Sequence, residues 1–130
     1  MQPTLDQKNI ELDIVLKDTS IVLEADTNLI EQVLINLVVN SIEAVKDKPI
    51  GKITLSAYRD SNNKIIIIVA DNGTGMSAEV IEKIFIPFFT TKKNGSGIGL
   101  SLSKQIMMLH RGNIQIHSVE GTGTSFLLHF

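Results

Sequence analysis

The 130-residue chain contains no cysteine and no tryptophan, and only one tyrosine, five phenylalanines and three prolines. Without thiols it has no cysteine-ligated zinc site, no iron–sulfur cluster, no disulfide and no sulfur nucleophile. Uninterrupted apolar runs of the ~18–20 residues needed to span a bilayer are absent, and the N-terminal Met1–Asp13 stretch has no signal-type apolar core. Acidic residues are scarce in one region only. Residues 83–130 hold a single acid, Glu120, against five bases, Lys83, Lys92, Lys93, Lys104 and Arg111, whereas residues 1–82 hold 13 acids and 7 bases. The net charge of −2 therefore conceals an acidic first part and a basic remainder. A basic segment inside an acidic chain points to a local anion site rather than to a nucleic-acid binder, which would be basic overall.

What is present fits one soluble domain, spanning 1–130, with 43% hydrophobic and 20% charged residues. A chain of this length buries enough surface to fold around one core without a disulfide or structural metal. Five of its nine glycines fall between Gly73 and Gly99. A cytoplasmic domain is expected, making no membrane contact of its own, with a parent protein that is free to be membrane-anchored.

Alternation and β-branched content predict strands over Ile10–Leu16, Ser20–Ala25, Lys52–Arg59, Lys64–Ala70, Gly112–Val119 and Thr124–Phe130. Helical spacing predicts a long helix from Asn28 to about Lys46, capped by Asp26 or Thr27, with Ile30, Leu34, Leu37, Val38 and Val45 on its apolar face. A short helix should follow the Ser77 N-cap and end near Phe85, residues 86–96 should be loop, and Ile98–His110 should be helical. Hairpins plus separate helices imply an α+β two-layer sandwich, a mixed and mostly antiparallel sheet with three main helices on one face.

Three polar groupings stand out. On the long helix Gln32, Asn36, Asn40 and Glu43 share one face. Two Asn residues one turn apart are poor helix formers, and an amide oxygen suits Mg²⁺, which takes few protein ligands and completes its shell with phosphate and water; a solvated face is the plainer alternative. Asp71-Asn72-Gly73-Thr74-Gly75 ends a buried-type strand. A hairpin turn there fits badly, because a helix follows; an Asp at this position can accept from an exocyclic amine such as that of adenine, and glycine lets a flat ring approach the backbone. Gly95-Ser96-Gly97-Ile98-Gly99-Leu100 opens a helix just after Lys92 and Lys93. Its spacing matches neither the dinucleotide fingerprint nor a Walker A sequence, but a glycine turn opening a helix presents N–H groups to phosphate.

In this order the motifs resemble the catalytic, ATP-binding domain of bacterial sensor histidine kinases, within the superfamily of gyrase, Hsp90 and MutL-type ATPases. The resemblance covers about 26–130. Glu31–Ser41 is similar to the family's N box, Asp71–Met76 to its G1 box, Ile84–Lys92 to its F box and Gly95–Leu100 to its G2 box. It implies the Bergerat ATP-binding fold, with ATP and Mg²⁺ bound between the helices and a mobile lid. Carried over residue by residue, Asn40 would ligate the metal and Asn36 would support metal and phosphates. Asp71 would bind the adenine amino group, with Gly73, Gly75 and Met76 shaping the pocket. Gly95, Ser96, Gly97, Ile98, Gly99 and Leu100 would meet the nucleotide, and Lys92 would assist from the lid. Ile42, Met76, Ile84 and Leu100 are candidates to line the adenine slot, core packing being the competing role for each.

The family's ATPases carry a Glu general base four residues before the metal-binding Asn, and here that position is Asn36. An amide cannot take a proton from water at neutral pH, which favours phosphoryl transfer over hydrolysis. Two positions depart from the pattern: Glu43 stands where many members carry a base, and Leu109-His110-Arg111-Gly112 replaces Leu-His-Gly-Gly. None of His110, His117 and His129 lies in a phosphoacceptor motif. The resemblance thus implies transfer to a histidine on a separate dimerisation module of the same parent protein, with a response regulator further downstream. A Ser/Thr kinase of the anti-sigma type and a nucleotide-sensing module without transfer are the alternatives.

Overall fold

The structure is a computed structural model, and it describes residues 10–16, 27–87 and 99–130. Among the described residues five strands form one sheet: β1 (Ile10–Leu16), β2 (Gly51–Arg59), β3 (Ile65–Asp71), β4 (Asn113–Val119) and β5 (Gly123–His129). Three helices accompany them among the same residues, α1 (Thr27–Val45), α2 (Ala78–Lys83) and α3 (Gly99–Leu109). Strand order is β1-β2-β3-β5-β4, with β1 parallel to β2 and every other pairing antiparallel. The mixed α+β sandwich expected from the sequence is therefore present. The strand expected over Ser20–Ala25 and the cap expected at Asp26 lie outside the described residues, as does most of the loop expected over 86–96.

The parallel β1–β2 pair requires a crossover, and α1 supplies it. Its apolar stripe meets the sheet face formed by Ile53 of β2, Val69 of β3 and Phe126 and Leu128 of β5, a face that Ile114 of β4 continues under the last helix. The register puts these on one face: Val69 is opposite Phe126, and Ile114 opposite Leu128. Val33, Leu37, Phe126 and Leu128 are at most 1% exposed, and complete burial of each such side chain stabilises the fold by roughly 1.5–3 kcal/mol. The buried stripe is broader than Ile30, Leu37, Val38 and Val45 alone, for it includes Val33, Ile42 and the small Ser41, while Leu34 is partly buried. By length and mean hydropathy, 1.2 over Asn28–Val45, α1 passes the test for a membrane span. Its buried stripe instead makes it the central helix of this core.

α3 packs beside α1, burying Leu100, Ile106 and Met107. The helix after Ser77 is shorter than its pattern suggests. Ser77 does cap it, accepting from Val80 N–H at 3.3 Å, but the helix ends at Lys83 and buries no side chain. Ile84 and Phe85, just beyond it, turn onto the core instead, which ends the helix before Pro87 is reached.

Candidate functional site

The carboxyl end of β3 runs into Asn72–Ser77, a loop secured from both sides. Thr74 N–H donates to the Ala44 carbonyl of α1 (3.3 Å), and Gly121 N–H of the β4–β5 turn donates to the Thr74 carbonyl (2.6 Å). Met76 N–H donates to Ser118 Oγ at 2.8 Å, and Ser118 lies 2.8 Å from Thr124 Oγ1. Two glycines permit these approaches. A Cβ on Gly73 would lie 2.6 Å from the Ala44 carbonyl oxygen, and Gly75, at φ +70°, would drive a Cβ into the Val119 carbonyl.

Between this loop, α1, Leu100 of α3 and the end of β5 lies a cavity of about 350 Å³, a size usual for small-molecule sites. Asp71, Met76, Ile84, Leu100 and Phe126 line one part of it; Asn40, Glu43 and Lys46 line the α1 side. An acceptor among apolar walls suits a flat heteroaromatic ring carrying an amino group. Burial raises the Asp71 pKa above the ordinary carboxylate value. The Gly73 N–H, 2.8 Å from Oδ1, opposes this, and the Ser41 hydroxyl and Thr124 N–H oppose it less strongly. Ser41 acts by proximity: its hydroxyl is wholly buried and makes no hydrogen bond of standard geometry among the described residues.

Asn40 Nδ2 donates to the Asn36 carbonyl at 2.9 Å, so Oδ1 is the atom of Asn40 with the chemistry to ligate a metal. No cluster of three or more His, Cys, Asp or Glu among the described residues suits a metal; a cation here would depend on phosphate oxygens. Glu43 accepts from Lys46 Nζ at 2.7 Å on the cavity rim, and the lysine's pKa is raised by that bond. A basic group therefore borders the pocket although position 43 itself is acidic.

The structure gathers Asn40, Asp71, Gly75, Met76, Ile84 and Leu100 around one cavity. Ile42 belongs to the core, and Gly73 stands behind the pocket against α1. Asn36 is turned toward α3, its Nδ2 3.2 Å from the Gly99 carbonyl. Lys92, Gly95, Ser96, Gly97 and Ile98 lie outside the described residues. Sequence reasoning passed over Ser41, Thr124 and Phe126 as parts of the site. Ser41 adjoins Asn40 in an apolar helix and Thr124 follows a turn glycine, so neither carried a local signal.

Residues 25–130 match the family described as histidine kinase-, DNA gyrase B- and HSP90-like ATPase. The chain belongs to this family. It is 40% identical over 106 residues to the signal transduction histidine-protein kinase AtoS of Escherichia coli, covering 82% of this chain and 17% of that protein. To the sensor histidine kinase ZraS of Salmonella typhi it is 36% identical, covering 93% of this chain and 26% of ZraS. The chain thus spans about a sixth to a quarter of these relatives' length. The solved catalytic domain of histidine kinase ThkA superposes with a TM-score of 0.86 at 35% identity, covering 99% of this chain and 84% of that one. By family and fold this is a histidine kinase catalytic domain, with a nucleotide-binding ATPase-type fold.

Proposed function

We propose that the domain binds Mg-ATP in this cavity and transfers the γ-phosphoryl group to a histidine on a separate dimerisation module of its parent protein. The observation that carries the reading is Asp71, a carboxylate at the end of a core strand, set into a cavity with apolar walls and with Asn40 opposite. Adenine fits that end: its amino group would donate to Asp71, and its faces would lie against Met76, Ile84 and Leu100. Asn40 Oδ1 would hold Mg²⁺, which when bound neutralises charge between the phosphates. Gly95–Leu100 and Lys92 would meet the phosphates, and Asn36 would support them indirectly, through its bond to the Gly99 carbonyl where α3 begins.

In the reaction the terminal P–O bond breaks, ADP leaves with its electron pair, and an N–P bond forms at the acceptor imidazole. The chain's part is to bind, orient and neutralise. Position 36 carries an amide, which removes no proton from water, so this group does not promote hydrolysis. Asp71 stays far from the transferred group and contributes only to placement of the nucleotide.

The relatives support the same assignment. They are named a signal transduction histidine-protein kinase and a sensor histidine kinase, and histidine kinase ThkA has been solved in complex with the response regulator TrrA, matching this chain at 32% identity and TM-score 0.81 over 99% of it and 36% of the ThkA chain. A phosphorelay to a response regulator, with this domain on the cytoplasmic side of a parent that is membrane-anchored or soluble, follows from that reading. The test supplies the helical histidine domain with γ-labelled ATP. Acid-labile, base-stable label on the added domain is expected; acid-stable label would identify a Ser/Thr kinase, and saturable binding without transfer a sensing module.

A further inference from the structure

Away from the adenine end, Ser103 carries a polar group that pocket lining does not explain. It is wholly buried in α3, among Leu100, Ile106 and Met107 on that helix's inward side. Its hydroxyl donates to the Gly99 carbonyl one turn back at 2.9 Å and accepts from Asn36 Nδ2 at 3.3 Å. The same Asn36 nitrogen lies 3.2 Å from the Gly99 carbonyl, and Gln32 Nε2 donates to Asn36 Oδ1 at 3.2 Å. Both ends of the Asn36 carboxamide are therefore engaged. The two helices are joined where α3 begins, by residues 63 and 67 apart in sequence. Alanine would fill such a site without a buried hydroxyl to satisfy, whereas a hydroxyl with both donor and acceptor used fixes one geometry.

We propose that Ser103 is a positioning residue for the phosphate end of the nucleotide. By holding the Asn36 carboxamide against the Gly99 carbonyl, it sets the first turn of α3, and the N–H groups that open it, at one distance from Asn40. Ser103 touches no nucleotide itself; it acts through Asn36 and Gly99. The inference rests on the nucleotide reading above and adds that selectivity for a phosphate chain over a bare nucleoside depends on this link.

Adenosine and the Mg²⁺ complex of a non-hydrolysable ATP analogue are titrated separately into the wild-type chain and Ser103→Ala. The expected result is adenosine affinity within twofold of wild type and analogue affinity about tenfold weaker, the size of one lost hydrogen bond. Unchanged analogue affinity, or equal weakening of both probes, overturns the proposal, since a merely structural serine would not separate them. If Ser103→Ala does not fold, Ser103→Cys, nearly isosteric and a poor donor, is measured in its place. Failure of both to fold makes Ser103 a core residue and also overturns the proposal. Absence of saturable binding of either probe to the wild type refutes the nucleotide reading itself, and the proposal with it.

Discussion

Replacing Asp71 by Asn should separate nucleotide affinity from fold stability. The side chain keeps its shape, and its Oδ1 retains the Gly73 N–H bond seen at 2.8 Å. On the proposed reading, what disappears is the negative charge that would face the adenine amino group inside a cavity of about 350 Å³. A hydrogen bond to a charged group contributes about 1.5–3 kcal/mol, so ATP affinity should fall roughly 10- to 150-fold by calorimetry at pH 7.5. Stability should move the other way. Burial raises the Asp71 pKa in the folded chain, so the native state binds this proton more tightly than the unfolded state. Ionisation at neutral pH is then destabilising. This penalty is fully present above the raised folded pKa and is relieved as pH falls through it toward the unfolded value. The Asp71→Asn variant lacks that penalty, so it should be at least as thermostable as wild type at pH 7.5, and the wild-type advantage from acidification should vanish in it. ATP affinity of the wild type should weaken from a pH above the ordinary carboxylate range downward. Wild-type affinity in Asp71→Asn, or a variant markedly less stable at neutral pH, would refute the assignment.

Gly73→Ala places a methyl 2.6 Å from the Ala44 carbonyl oxygen; such overpacking costs about 1–3 kcal/mol, which in a chain this size lowers Tm by roughly 4–11 °C, read by calorimetry. Asn36→Glu, the change toward an ATPase-type base, also removes the Nδ2 bonds to Gly99 and Ser103 and sets a carboxylate near a carbonyl. Thermal unfolding should drop by about 4–10 °C whether or not hydrolysis appears. Ser77→Ala deletes the acceptor for Val80 N–H and should speed amide exchange over α2, with a Tm loss of about 2–7 °C.

Local periodicity conveyed most of the fold. α1 begins and ends within a residue of its pattern, and the Asn-rich stripe on it does reach the cavity through Asn40 and Glu43. Asp71 was legible because an acid at the end of a buried strand, followed by glycines and a helix, has few structural uses. Contacts between distant segments were not legible. The Asn36 carboxamide faces α3 rather than the cavity because its partners lie 63 and 67 residues away, a distance over which spacing says nothing. Ser41 and Ser103 look in sequence like small residues admitted for packing, and only the structure shows their hydroxyls beside polar groups. The reason for Gly73 likewise becomes visible only when α1 and the loop after β3 are seen in contact.

The position of β5 bears on how the domain comes into being. This strand lies between β3 and β4 although it follows both in the chain, and it supplies Thr124 and Phe126 to the cavity, while the turn before it anchors Thr74. On the ribosome, the segments bearing Asn40 and Asp71 emerge well before the strand that completes their pocket, and pairing over such sequence separation is slow. On the proposed reading, nucleotide binding would be a late event in biogenesis, because the cavity is complete only once the sheet has closed around β5.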